Sequence, residues 1–172
     1  MKHTSFFFIL CFLIIFSGCA SNKNNGGGKF ISGPAADDIV NYVNQGLIAI
    51  AELEQESLKR YETVTGENFT SNQKLIETLK DFVVPTYKRF VRGLKNITPE
   101  KPEVQKLHAI YIRAAESTLE GFQMIMVGCE NNDERIIQQG NKKLDEGRTG
   151  LKKWRTELIE LAKINGAKIE FK

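Results

Sequence analysis

In the last third of the chain, Ile137, Gly140, Leu144, Gly147, Leu151, Trp154, Leu158 and Leu161 follow one another at alternating steps of three and four residues. Only a helix gathers such a series onto one face, and the mean step of 3.5 is that of a coiled-coil-like seam. The pattern predicts a helix over about Asp133 to Asn165. Asn131-Asn132-Asp133 supplies the preceding turn and its cap, and Gly166 supplies a stop. A helix with so continuous a stripe must bury it against other helices, and that requirement limits the folds open to the rest of the chain.

The remainder supplies those helices. From residue 35 onward the apolar residues recur every three or four positions, and period-two alternation is nearly absent. A first segment, about Ala35 to Val64, carries Ile39, Val43, Gly46, Ile50, Leu53, Ser57 and Tyr61 on one face. Asp37 and Asp38 sit in its first turn, where negative charge suits the helix dipole, and Gly66 follows as a stop. A second segment, about Ser71 to Ile97, aligns Leu75, Leu79, Phe82, Thr86, Phe90 and Leu94. Pro85 lies inside it and removes one hydrogen bond. Because the stripe continues in phase, a bend near Val84 is expected rather than two separate helices. A third segment, about Pro102 to Cys129, carries Leu107, Tyr111, Ala114, Ala115, Thr118, Phe122, Ile125 and Cys129. Its leading proline is tolerable in a first turn.

Four long helices with short connections pack most simply as antiparallel neighbours. The expected fold is therefore all-α, an up-down-up-down four-helix bundle. Two helical hairpins that dimerise through the seam of the fourth helix are the alternative, so monomer and homodimer both stay open. Gly46, Gly140 and Gly147 lie on the apolar stripes, where each costs about 1 kcal/mol of helix propensity relative to alanine. Close approach of neighbouring helices is the expected reason, ahead of a ligand cavity.

The start of the chain is of another kind. Met1-Lys2-His3 is a short basic opening, and eleven consecutive apolar residues follow from Phe6 to Phe16. These are the charged and apolar regions of a secretory signal, and the run is short of the roughly 20 residues of a spanning helix. Phe16-Ser17-Gly18-Cys19 then resembles the bacterial lipobox, with two small residues before a cysteine and Phe16 where leucine is commonest. That resemblance implies cleavage before Cys19 and a lipid on its thiol. It also implies membrane attachment in the cell envelope: the outer membrane in a Gram-negative host, since Ala20 and not Asp follows, or the outer face of the cell membrane in a Gram-positive one. Residues 20–34, ASNKNNGGGKFISGP, are too polar and glycine-rich to build a core and read as a tether. Phe30-Ile31 is its one apolar spot. The expected organisation is a signal peptide at 1–18, the lipidated cysteine and linker at 19–34, and the helical domain at 35–172. The whole is similar to the small helical lipoproteins of bacterial envelopes.

Composition narrows the chemistry. With Lys2 removed, 23 basic residues face 21 acidic ones, too mild a balance to argue for nucleic acid as a partner. Cys129 is the one thiol left after Cys11 and Cys19 are accounted for, so no internal disulfide is expected. Di-iron bundles need Glu-x-x-His pairs, but His108 has no glutamate three residues before it. No C-x-x-C-H, P-loop, G-x-S-x-G or dinucleotide fingerprint occurs. Glu116 and Glu120 lie one turn apart, with no histidine nearby in sequence, and read as a solvated face. Cys129 reads as a small core residue. No catalytic residue, metal site or cofactor is expected.

The residual candidates are few. His108 and Tyr111, one turn apart, are candidate ligand contacts of a small-ligand or haem carrier. Lys88, Arg89, Arg92 and Lys95 form a basic cluster that could meet an anionic surface, and Arg148, Lys152, Lys153 and Arg155 form a second. The expectation from sequence is a non-enzymatic binding or interaction module that meets the membrane through Cys19 and another envelope protein through a helix face. The carrier is the alternative.

Overall fold

Long helices form wherever the three-four periodicity runs. The structure, a computed structural model, describes residues 35–167 and the short pairs 14–15 and 170–171. Cys19, the linker and all of the leader but Ile14–Ile15 lie outside the described residues. The first helix, α1, comprises Ala36–Asn41, a π-helical stretch Tyr42–Leu47, and Ile48–Glu62. The second, α2, comprises Asn72–Thr78, a π-helical stretch Leu79–Val83, and Val84–Lys95. Helix α3 is Pro102–Glu130 and α4 is Glu134–Ile164. Ile14–Ile15 and Glu170–Phe171 make a two-residue antiparallel bridge, the one extended pairing among the described residues.

The helix ends follow local chemistry. Ser71 caps α2 by accepting from the Lys74 N–H at 3.2 Å. Asp133 caps α4 by accepting from the N–H groups of Arg135 and Ile136 at 3.0 and 3.4 Å. Gly166, at φ 71°, adopts the left-handed conformation that closes α4, and Gly66, at φ 58°, turns the chain after α1.

Pro85 neither splits α2 nor interrupts its stripe. The π turn lies immediately before it, and the Val84 N–H reaches back five residues to the Leu79 carbonyl. The extra residue widens the helix where the proline ring would otherwise press on the preceding turn. The π stretch in α1 has a phase consequence. Leu47 turns inward and is buried, whereas Gly46 and Ile50 sit at the partly exposed edge of the stripe.

Two close helix contacts shape the body. Along α3 and α4, Ala114 meets Gly150, Thr118 meets Gly147, Gly121 meets Gly140, and Gly128 meets Ile137. One residue number rises as the other falls, so these two helices run antiparallel. Along α1 and α2, Gly46 meets Ile97 and Ile50 meets Gly93, again in opposite senses. The core draws on all four helices. Ile39, Val43, Leu79, Phe90, Phe122, Ile125 and Leu158 are almost completely removed from solvent. The α4 seam is buried unevenly: Gly140, Gly147, Trp154 and Leu158 are buried, while Ile137, Leu144, Leu151 and Leu161 are partly covered.

Candidate functional site: a polar chain through the core

The core is rich in residues with an apolar body and a polar tip, and those tips find one another. Tyr42 on α1 is 3 % exposed, His108 on α3 is 5 %, and Trp154 on α4 is 3 %. The Trp154 indole N–H donates to the Tyr42 hydroxyl oxygen at 3.3 Å. The same hydroxyl lies 3.2 Å from His108 Nδ1. An indole N–H can only donate. With the imidazole proton on Nδ1, both the Tyr42 hydroxyl proton and Nε2 would lack a partner, so the assignment that leaves fewest groups unsatisfied has Tyr42 Oη accept from Trp154 and donate to His108 Nδ1. The imidazole proton is then left on Nε2. That atom closes no hydrogen bond among the described residues. The backbone carbonyls of Leu94 and Ile97, at and just past the C-terminal end of α2, act on the imidazole and can only accept. One chain of polar groups thus joins α1, α3 and α4.

A second cluster adjoins it. Tyr111 stacks on Trp154 with ring centres 4.4 Å apart and planes 30° apart. Its hydroxyl donates to Glu54 Oε2 at 2.7 Å, and the Tyr87 hydroxyl donates to Glu54 Oε1 at 3.5 Å. Glu54 is partly buried on α1, and no ion pair to it is present among the described residues. Burial pushes its carboxyl up to about 7, against the opposing pull of the two tyrosine hydrogen bonds. Burial lowers His108 below the ordinary imidazole range, and the two backbone carbonyls offset this in part. The phenols of Tyr42 and Tyr111 are raised by burial, so both stay protonated. The ring of Tyr87 meets Phe90 and Phe122 edge-on at 5.2 and 5.4 Å, which closes the cluster on the α2–α3 side.

The structure places the sequence candidates as follows. His108 and Tyr111 come together in the interior, each facing a protein partner: Tyr42 for His108, Glu54 and the Trp154 ring for Tyr111. Lys88, Arg89 and Arg92 are exposed on α2, while Lys95 forms an ion pair with Glu116. Glu120 pairs with Lys143 at 3.0 Å, so the two α3 carboxylates engage lysines from different helices. In the second basic cluster Arg148 pairs with Asp145 and Lys153 with Glu157. Exposed pairs of this kind are worth at most about 1 kcal/mol each. Cys129 is buried and its thiol is raised by desolvation, the state of an unreactive core cysteine. An open groove of about 180 Å³ lies between α3 and α4, lined by residues that include Arg113, Ser117, Glu146 and Lys153. It is separate from His108 and Tyr111. No group of three or more metal-ligating side chains occurs among the described residues.

Glu54 and Tyr42 are the functional-looking residues that periodicity passes over, because each lies one position off the apolar stripe, beside Leu53 and Val43. The available signal was an acid adjacent to the stripe of a core helix, together with aromatic residues whose polar tips need partners when buried. Comparison with protein-family models, with curated proteins and with solved structures returns no match.

Proposed function

We propose that the chain is a lipid-anchored protein of the bacterial envelope whose helical body is a non-enzymatic interaction module. The observation that carries this reading is the order of its parts. An apolar leader ends in Phe16-Ser17-Gly18-Cys19, a glycine-rich stretch follows, and a helical body begins at Ala36. Two or more acyl chains hold a protein stably at a membrane, and 15 extended residues span roughly 50 Å. The body would then be displayed clear of the lipid surface. No described helix is long and apolar enough to cross a membrane, which is compatible with attachment through Cys19.

The helices are read as an up-down-up-down bundle. The opposed contacts of α1 with α2 and of α3 with α4 support that order, as do the Ala35 N–H to Asn165 Oδ1 bond at 3.2 Å and the Tyr42–Trp154 bond. An interaction module is favoured over an enzyme by how the ionisable groups are used. His108 and Glu54 engage tyrosines that join helices, and Glu116 and Glu120 are held at the surface by lysines.

The test is growth of cells making the wild-type and Cys19→Ser chains with a labelled fatty acid. Wild type should take up label and fractionate with membranes, and Cys19→Ser should accumulate as unlabelled precursor. A Cys19→Ser chain that matures and stays membrane-bound would overturn the anchor. Crosslinking from the exposed faces of α2 and α4 in the same cells, with native mass spectrometry of the purified protein, tests the module. A protein adduct supports it, and a tightly bound small molecule would replace it with the carrier.

A further inference from the structure

We infer that His108 is an acid-sensitive latch: when Nδ1 takes up a proton, the Tyr42 bridge between α1 and α4 can no longer be satisfied. The argument rests on donor and acceptor counting inside a dry core. With His108 neutral, both polar contacts of the Tyr42 hydroxyl are satisfied. Trp154 N–H donates to Tyr42 Oη and Tyr42 O–H donates to His108 Nδ1, while Nε2–H closes no hydrogen bond among the described residues. Protonation turns Nδ1 from an acceptor into a donor. Tyr42 Oη then faces two N–H donors, and its own proton loses its acceptor. A buried donor without a partner is costly, and so is a desolvated imidazolium.

The groups around His108 offer little to offset that charge. From α1 it meets Tyr42, whose ring stands edge-on at 5.4 Å. From the end of α2 it meets backbone carbonyls, and from α4 it meets Trp154 only through Tyr42. Among the described residues no carboxylate or ammonium acts on it appreciably. The cluster's one acid, Glu54, is held by Tyr111 and Tyr87 and gains a proton of its own as the pH falls. The proton reaching Nδ1 comes from solvent, and Tyr42 must rotate its hydroxyl away or move.

Position makes this a latch and not a general weakness. The backbone of α4 packs closely on α3 through glycines along most of its length. Two long-range hydrogen bonds join α1 to α4 among the described residues, Tyr42–Trp154 and Ala35–Asn165. Loss of the first loosens α1 from α4 while the α3–α4 pair stays intact. Histidine is the side chain suited to such a change in mildly acidic surroundings.

Trp154 is the only tryptophan in the chain, so its indole reports the bridge directly. The experiment follows indole N–H exchange and the His108 imidazole by NMR in the full chain as purified, between pH 7.5 and 4.5. Neutral His108 should carry its proton on Nε2. Below the ordinary imidazole value of 6.5, and until the closed state itself titrates, the open population read from indole exchange should rise about tenfold per pH unit, the slope of one coupled proton. Far-ultraviolet helicity should be unchanged. In His108→Gln that slope should vanish, and in Glu54→Gln it should persist. The latch is overturned if His108→Gln keeps the wild-type slope, or if His108 titrates while indole exchange stays flat. Should His108→Gln not fold, Tyr42→Phe serves in its place: the indole should then exchange fast at every pH, and a retained acid slope would count against the latch.

Discussion

A β-carbon on Gly140 would lie 2.9 Å from the carbonyl oxygen of Gly121, and one on Gly121 would lie 2.9 Å from the carbonyl oxygen of Gly140. Each glycine thus makes room for the other's main chain, and the relation is repeated along the same pair of helices at Gly147, whose added carbon would stand 2.9 Å from the Ala114 carbonyl oxygen. The glycines of the α4 stripe serve close approach. What they give up in helix propensity is offset by dispersion contacts between backbones.

This separates glycines that differ little in sequence. Gly140→Ala and Gly147→Ala place a methyl against fixed backbone, and each should destabilise by about 1–3 kcal/mol despite alanine's better propensity. At Gly46 the nearest atom is Ile97 Cγ2 at 3.0 Å, the end of a side chain that can shift. Gly46→Ala should therefore cost less than either. Urea denaturation of the three variants checks the order.

Removal of the Tyr42 hydroxyl leaves the Trp154 N–H and His108 Nδ1 without their shared partner. Tyr42→Phe should lose about 1–3 kcal/mol of stability at neutral pH, with a change in Trp154 emission. An unchanged urea midpoint and spectrum would mean that the hydroxyl does not bridge the helices in solution.

Glu54 and His108 tilt stability in opposite directions with pH. Glu54 has its folded-state pKa, about 7, above its ordinary 4.5. Its contribution is thus fullest below 4.5 and is lost as pH rises to about 7, on the order of 3 kcal/mol in all. His108 has its pKa lowered from 6.5, so stability falls as pH drops below 6.5. The two slopes oppose each other just below 6.5. Glu54→Gln should unmask the histidine, giving stability that rises with pH up to 6.5. His108→Gln should unmask the carboxyl, giving stability that falls toward pH 7. Thermal melts across pH 4.5–8 decide both.

Asn165 closes the body at one end. Its side chain accepts from Ala35 N–H at 3.2 Å and donates to the Leu161 carbonyl at 2.9 Å. Asn165→Ala should strand a buried N–H and cost about 1–3 kcal/mol. It should also speed hydrogen exchange at the start of α1, which proteolysis or exchange mass spectrometry would detect.

The amino-acid sequence by itself set where the helices lie. The seam from Ile137 to Leu161, the caps at Ser71 and Asp133 and the stop at Gly166 are local matters, since periodicity and capping depend on residues within a few positions of one another. The tertiary structure alone decided what those helices share. The π turns took up Pro85 and brought Leu47 inward. The face of α4 that carries its glycines met the glycines of α3, and Tyr42, His108 and Trp154 converged from three helices with Glu54 close behind. None of these follows from spacing along the chain, because a hydrogen bond between Tyr42 and Trp154, or a close approach of Gly121 and Gly140, depends on which faces meet and how near the axes come. Those distances are fixed by side-chain volumes packed across helices far apart in sequence.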